Sequence, residues 1–333
     1  MNDTMRNTLS ASVIIPTYKR LDMLQRCLPG VAAMDTTPRE VLITYRPEAD
    51  PETTAWLLDE APKHSDWVLV PSHEPGQVAA LNLALRRASG DIVVIFDDDA
   101  IPRRDWLSKV LSHFQSDPGV GGVGGRDFVH EHGGTTLSPE RKVAGIRNRW
   151  GQYLGNHHLV VGAPREVDVL KGCNWAVRRT ALGSLHSDTR LLGSGAQFAN
   201  DSWFCINLRQ HGWKLVLDPS ANVDHYPAEK PDHARHGWNR LKCHEMTTNK
   251  VFSELYFATS WERTKYLAYF VLKGTRYCPG LYFLAHGLLK RPLQLPAIAW
   301  GGWTGYVKGW RMCHRYEPPG QPATPGSLSH SAA

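Results

Sequence analysis

No C-x-x-C pair occurs among the six cysteines, at positions 27, 173, 205, 243, 278 and 313, so neither a zinc ribbon nor a disulfide framework is legible. Scattered cysteines of this kind fit a reducing, cytoplasmic compartment. No secretory signal is expected, because the first apolar stretch, residues 12–16, is only five residues long and reads as a strand. No run is long and apolar enough to cross a bilayer, which takes about 20 residues. Residues 266–289 are broken by Lys273, Arg276 and Pro279, and residues 293–307 hold Pro296 and the pair Gly301-Gly302. No internal repeat is visible. Residues 119–125 carry five glycines, but no Lys-Ser/Thr follows, so this is not a phosphate-binding loop.

The composition is otherwise that of an ordinary folded protein: 333 residues, 42% hydrophobic, 21% charged and a formal charge of +6. The charge is unevenly placed. Residues 235–316 hold thirteen Lys/Arg against three Glu, so the remainder of the chain is net acidic. The same segment carries five of the twelve Trp and seven of the eleven Tyr. Cations interleaved with amphipathic rings suit an anionic membrane surface. They also suit single-stranded nucleic acid, but no RNA-binding signature accompanies them, and no nucleic-acid partner is expected.

From residue 12 the pattern alternates. Strands are expected at 12–16, 40–45, 67–70 and 91–96, with helices at 21–34, 51–61 and 76–89. This predicts an α/β fold, a Rossmann-like, mostly parallel sheet with helices on both faces. In such sheets ligands lie outside the carboxyl ends of the strands. Thr17 and Tyr18, residues 46–50, and Asp97 to Asp99 all fall at such ends and are expected to line one crevice. Residues 105–114 are expected to be helical and 133–164 a long loop with a short helix. Short strands are expected in 167–177, at 213–217 and at 222–225, with a helix over 199–211. The expected organisation is a flexible leader (1–10), a catalytic domain (11–230), a helical basic and aromatic extension (231–316) and a disordered tail (317–333).

The chemistry centres on Asp97-Asp98-Asp99. Three adjacent carboxylates at the end of a buried strand repel one another unless a cation compensates them. Taken alone, the triplet reads slightly better as a solvated acidic turn, and the surrounding sequence reverses that. Hard oxygen ligands of this kind suit Mg²⁺ or Mn²⁺, which usually reaches a protein through one or two carboxylates plus substrate phosphates. Other stretches stand in order around the triplet: residues 12–20 (SVIIPTYKR), Gly76 through Asn82, 88–91 (ASGD), 171–179 (KGCNWAVRR), Asn200-Asp201 with Leu208-Arg209 and Gly212, and Val223-Asp-His225.

Together these resemble family 2 glycosyltransferases of the GT-A fold, over about two thirds of the chain. The resemblance implies inverting transfer of one sugar from a nucleoside-diphosphate sugar to a saccharide or lipid-linked acceptor, with a divalent ion. It implies donor contacts at Pro16, Thr17, Tyr18, Arg20, Asp50, Asn82, Asp97 and Asp98, and metal ligands at Asp99 and His225. It places Gly172, Asn174 and Asn200 on the acceptor side and makes Asp201 the general base. Asn200 is expected to cap the helix that carries Asp201 in its first turn, where the helix dipole favours the ionised form. Arg178 and Arg179 are read either as steering phosphate or as solvated.

Three departures stand out. Asn200 replaces the Glu usual before the base. Leu81 stands where Arg is common. The second strand runs into Thr44-Tyr-Arg-Pro-Glu-Ala-Asp50 rather than ending in Asp, leaving Asp50 or Glu48 for the base-contacting role. A nucleotidyltransferase would want a Gly-rich, Lys-containing loop after the first strand, and residues 16–20 offer none. A non-catalytic sugar-nucleotide-binding member stays open because of Asn200. The expected location is cytoplasmic, peripheral on the cytoplasmic face of a membrane.

Overall fold

The computed structural model describes residues 9–131, 134–135, 139–227, 239–275, 278–290 and 292–315. Most of the expected leader and the whole expected tail lie outside them. The amino-terminal half alternates as expected: β1 (Ala11–Pro16), α1 (Leu21–Ala32), β2 (Glu40–Tyr45), α2 (Pro51–Glu60), β3 (Trp67–Pro71), α3 (Gln77–Arg87) and β4 (Ile92–Phe96). There follow β5 (Ala100–Pro102), α4 (Trp106–Ser116), β6 (Val120–Glu131), β7 (Gly134–Thr135), β8 (Ile146–Arg147), β9 (Tyr153–Leu154), β10 (Arg165–Val167), β11 (Asn174–Arg178), α5 (Arg179–Leu182), α6 (Asn200–Gln210) and β12 (Lys214–His225). The extension is helical: α7 (Arg240–Tyr256), α8 (Ser260–Leu272), α9 (Leu281–Lys290) and α10 (Leu295–Arg315).

The sheet runs β10-β12-β6-β11-β4-β1-β2-β3. Strands β4, β1, β2 and β3 are mutually parallel, so their carboxyl ends share one edge. Strand β11 enters antiparallel to β4, with Asn174 opposite Phe96 and Arg178 opposite Ile92. The start of β11 therefore meets the end of β4. On one face Leu24 and Leu28 of α1 and Trp106, Leu107 and Phe114 of α4 pack on Ile15 and Val94. On the other, Val78 and Leu81 of α3, Trp203 and Phe204 of α6 and Phe252 of α7 pack on Ile14, Val93 and Ile95. Both faces of the central strands are covered, which explains their unbroken apolar runs.

The glycine-rich stretch 119–125 leads into a strand, β6, which begins at Val120. A Cβ at Gly121 would sit 2.6 Å from the Cβ of Trp213, so the glycines let that ring close on the strand. Residues 213–217 and 222–225 are not two strands but one, β12, whose register breaks between Asp218 and Asn222. The segment 133–164 holds the two-residue β7, the short pair β8/β9 and a 3₁₀ turn at His157–Leu159 among its described residues.

The extension packs on the sheet through α7. A glycine stripe on α10 lets that helix lie close to α7: Gly301 faces the Arg240 carbonyl and Cys243, Gly305 faces Thr247 and the His244 carbonyl, and Gly309 faces Val251 and the Thr248 carbonyl. Glu254 of α7, fully buried, pairs with Arg147 at 2.7 Å and Lys250 at 2.5 Å, tying β8 to the extension. No helix among the described residues is long and apolar enough to cross a membrane.

A Cβ at Gly305 would lie 2.7 Å from the Thr247 Cβ and 2.8 Å from the His244 carbonyl oxygen. Gly305→Val is therefore expected to lower stability by roughly 1–3 kcal/mol, read as a fall in Tm by calorimetry. Lys308→Ala, on the exposed face of the same helix, should leave Tm nearly unchanged.

Candidate active site

The carboxyl edge of the sheet holds a cavity of about 290 Å³. Pro16, Thr17, Tyr18, Lys19 and Arg20 form its floor after β1, Tyr45 and Arg46 a wall after β2, and Ser72, Pro75, Gly76 and Gln77 the approach to α3. Asp97 closes the end beside β4, and residues 194–196 form the roof. The local chain is built for this edge. Lys19 adopts a left-handed conformation (φ 53°), and its N–H donates to Asp50 at 2.5 Å. That turn directs Arg20 back over the carboxylates. Gly76 (φ 106°) starts α3 where a Cβ would strike the Gln197 amide oxygen at 2.5 Å. Gln197 accepts from the Val78 N–H at 2.9 Å and so fastens the roof to α3.

The triplet divides its work. Asp97 faces the cavity and accepts from the Gln77 side chain at 3.1 Å. Asp98 and Asp99 are buried. Arg20 reaches both, at 2.7 Å and 3.3 Å, and the His225 Nε2 lies 3.3 Å from Asp99. Burial pushes the Asp98 carboxyl up to about 7; Arg20 opposes this, while Asp99 and Asp97 add to it. The local negative charge thus exceeds what Arg20 and His225 neutralise. Carboxylate oxygens beside an imidazole nitrogen are a donor set that fits a hard divalent cation, with Asp99 and His225 as the side chains to hold it.

Behind His225 lies Asp127, which the sequence reading did not single out. His225 Nδ1 is 3.4 Å from Asp127, and the Lys171 ammonium also pairs with that buried carboxylate. Burial opposes charge on His225, but its contacts to Cys173, Asp127 and Asp99 outweigh this and hold it up to about 12, so the ring must give up its Nε2 proton to hold a metal ion. Burial likewise opposes ionisation of Asp127; His225 and Lys171 override it and hold the carboxyl far below its ordinary range. Asp127, Cys173 and His225 each bring one ligand atom within 4.8 Å of the others. Lys171 already compensates Asp127, and burial raises the Cys173 thiol. Asp127, compensated by Lys171, therefore serves as a charged support for the imidazole. Asp127 sits in β6 just past the glycine run, and Lys171 opens the quoted KGCN segment. In the sequence Asp127 stands beside Arg126 and shortly before His130 and Glu131, so no local pattern marks it.

Asp201 stands in the first turn of α6, as expected, and accepts from the Gly172 N–H at 3.1 Å and the Ser202 N–H at 2.7 Å. Gly172 and Asp201 are thereby brought together from β11 and α6. Asn200 is not the cap. Ala199, left-handed at φ 68°, occupies that position, and Asn200 donates its amide to the Gln197 carbonyl at 2.9 Å.

Several expected site residues are structural in this arrangement. Asp50 caps α2 by accepting from the Thr53 N–H and does not line the cavity; Glu48 is exposed beside His73 at 2.6 Å. Asn82 exchanges hydrogen bonds with the Ser187 backbone, at 2.8 and 2.9 Å. Asn174 is buried and accepts from the Trp106 indole at 2.6 Å rather than shaping an open mouth. Arg178 donates to the Phe114 and Val120 carbonyls and Arg179 to Gly90, at the opposite end of β4 from the triplet, so neither steers phosphate here.

A model of the family described as "Glycosyltransferase like family 2" matches residues 10–242. The glycosyltransferase AglE of Haloferax volcanii is 32% identical over 136 residues, which cover 39% of this chain and 44% of AglE. The poly-beta-1,6-N-acetyl-D-glucosamine synthase of Staphylococcus aureus is 28% identical over 117 residues, 35% of this chain and 28% of the synthase. The matched stretch thus spans less than half the length of these curated relatives. Among solved structures, GalNAc-T7 with UDP, GalNAc and Mn²⁺ aligns with a TM-score of 0.57 at 14% identity, covering 86% of this chain and 59% of that one. The fold is GT-A, and with the family model matched from the first strand to the start of α7, the chain belongs to glycosyltransferase family 2.

Proposed function

We propose that the protein transfers one sugar, with inversion, from a nucleoside-diphosphate sugar to a hydroxyl of a saccharide or lipid-linked saccharide acceptor. One observation carries this reading. A cavity at the lower end of nucleotide size, a carboxylate cluster and a half-buried carboxylate, Asp201, share one edge of the sheet. The donor lies in the cavity with its diphosphate toward Asp97. The acceptor oxygen attacks the anomeric carbon as the bond to the diphosphate breaks, and Asp201 takes the hydroxyl proton. The Gly172 N–H fixes the Asp201 carboxylate in the first turn of α6. A divalent ion, Mg²⁺ or Mn²⁺, held by Asp99 and His225, would supply positive charge to the departing diphosphate. Arg20, already on Asp98 and Asp99, lines the cavity and holds the carboxylates in register.

The same reading puts the extension on the cytoplasmic face of an anionic membrane. On α10 the side away from the glycine stripe exposes Trp300, Trp303 and Trp310 along with Arg311, and Lys308 is exposed at the border of the stripe. Leu281, Tyr282 and Leu293 are exposed nearby in sequence. Rings and cations on one helical face suit headgroup depth, and the six free cysteines accord with a reducing compartment. A lipid-linked acceptor would then be met where it resides.

Asp201→Asn is expected to keep donor affinity while lowering kcat by ~10²–10⁴-fold, the usual contribution of a positioned general base. Turnover assays with a cognate acceptor, alongside calorimetric donor binding, check this; unchanged kcat rejects the assignment. Asp99→Asn is expected to abolish the Mn²⁺-dependent part of nucleotide binding with the fold retained, and equal affinities with and without the substitution would remove the metal from the reading. For the membrane, the Trp300→Ala/Trp303→Ala/Arg311→Ala variant should lose flotation with anionic vesicles at low salt. Each basic residue near such a surface is worth about 1 kcal/mol. Flotation that persists in the triple variant, or wild-type protein that ignores the vesicles, sinks the docking face.

A further inference from the structure

Beyond β1, on the side of the cavity away from the triplet, the wall is made by Arg46, the first residue after β2, with Ser72 after β3 beyond it. Strands β4, β1 and β2 are neighbours in that order, and adjacent strands lie about 4.8 Å apart. Arg46 and Asp97 therefore stand roughly 10 Å apart along one edge, with Thr17 and Tyr18 between them. A nucleoside diphosphate laid along this edge with its phosphates at Asp97 carries its ribose over β1 and brings its base to Arg46.

Arg46 is uncommitted. It forms no ion pair among the described residues, and its buried Nε has no hydrogen-bond partner. Glu48, two residues on, is bonded to His73 instead. The guanidinium lies over the Tyr18 ring, 5.4 Å from its centroid, and Tyr45 lines the same wall. A flat cation backed by an aromatic ring, with its N–H groups unspent, is a rigid fork with donors only.

Such a fork discriminates among bases by chemistry. Guanine presents two adjacent acceptors, O6 and N7, and arginine meets both at once. Adenine places an amino group beside its N7, which repels one arm. Uracil and thymine set an N–H donor between their two carbonyls, so a fork of donors meets a donor. We propose that Arg46 reads the donor base and that this base is guanine, so that the sugar arrives on guanosine diphosphate. The inference rests on the donor reading of the cavity given above and narrows it.

The test is calorimetric titration of the full chain with GDP, UDP, dTDP, CDP and ADP in the presence of Mn²⁺, repeated for Arg46→Ala and Arg46→Lys. Wild-type protein should bind GDP about 10–100-fold more tightly than UDP, the range a bidentate base contact supplies. Both variants should bring GDP and UDP close to parity while still binding diphosphates, because lysine keeps the charge but not the fork. A wild-type preference for any other base overturns the proposal without recourse to a variant; CDP is the sharpest competitor, since cytosine also offers adjacent acceptors. If Arg46→Ala weakens every nucleotide equally and Arg46→Lys restores them, Arg46 holds phosphate and the proposal is wrong. If no nucleoside diphosphate binds the wild-type protein, the donor reading of the cavity falls, and this inference with it.

Discussion

Like charge crowded into one place is the constraint around which this molecule is arranged. Strand β4 is apolar and buried along its whole length, and it ends in three carboxylates, two of them also buried. Burying such groups without compensation is prohibitive. The cations that answer them come from distant parts of the chain. Arg20 arrives from the turn before α1, and His225 from the end of β12. Each needs its own support. The left-handed Lys19 turn on Asp50 aims Arg20, and Asp127 with Lys171 backs His225. Capping α2 and placing a carboxylate inside β6 are thus consequences of the same electrostatic demand.

Much of this architecture is legible in the sequence. The alternation of strand and helix up to residue 96, and the edge on which Thr17, Tyr18 and Asp97 meet, follow from periodicity and from the rule that ligands sit at strand carboxyl ends. What escapes is what depends on close approach. The glycines of β6 carry no side chain to show a period; their meaning appears only when Trp213 is seen against Gly121. Nothing in an alanine codon announces the left-handed turn at Ala199, so Asn200 looks like the better cap. Asn82 and Asn174 look like ligand contacts because polar residues in a motif invite that reading, yet both spend their hydrogen bonds inside the protein.

The extension shows the same limit for charge. Counted along the sequence, residues 235–316 look uniformly basic. In the fold, Lys250 is buried against Glu254, and Arg263 donates to the Leu255 and Tyr256 carbonyls. Those cations face inward and hold the helices together. Among the described residues the outward cations include Lys273 after α8, Lys308 and Arg311 on α10, and Arg240 over the Trp300 ring. Net charge over a segment says little about a surface until the buried pairs are taken out.

Asn249 of α7 links that extension to the cavity. Its side chain accepts from the Leu192 N–H and donates to the Leu192 and Phe198 carbonyls, clasping both ends of the stretch whose residues 194–196 roof the pocket. Around Asn249, α7 also buries Thr247, Thr248 and Ser253, a polar surface poorly suited to holding a helix in place by itself. The glycine stripe of α10 covers part of that surface, and α10 lies some forty residues further along the chain. Synthesis proceeds from the amino terminus. During translation the sheet, its carboxylates and the Asn249 clasp are all made before residues 295–315, whose glycine stripe then closes over α7.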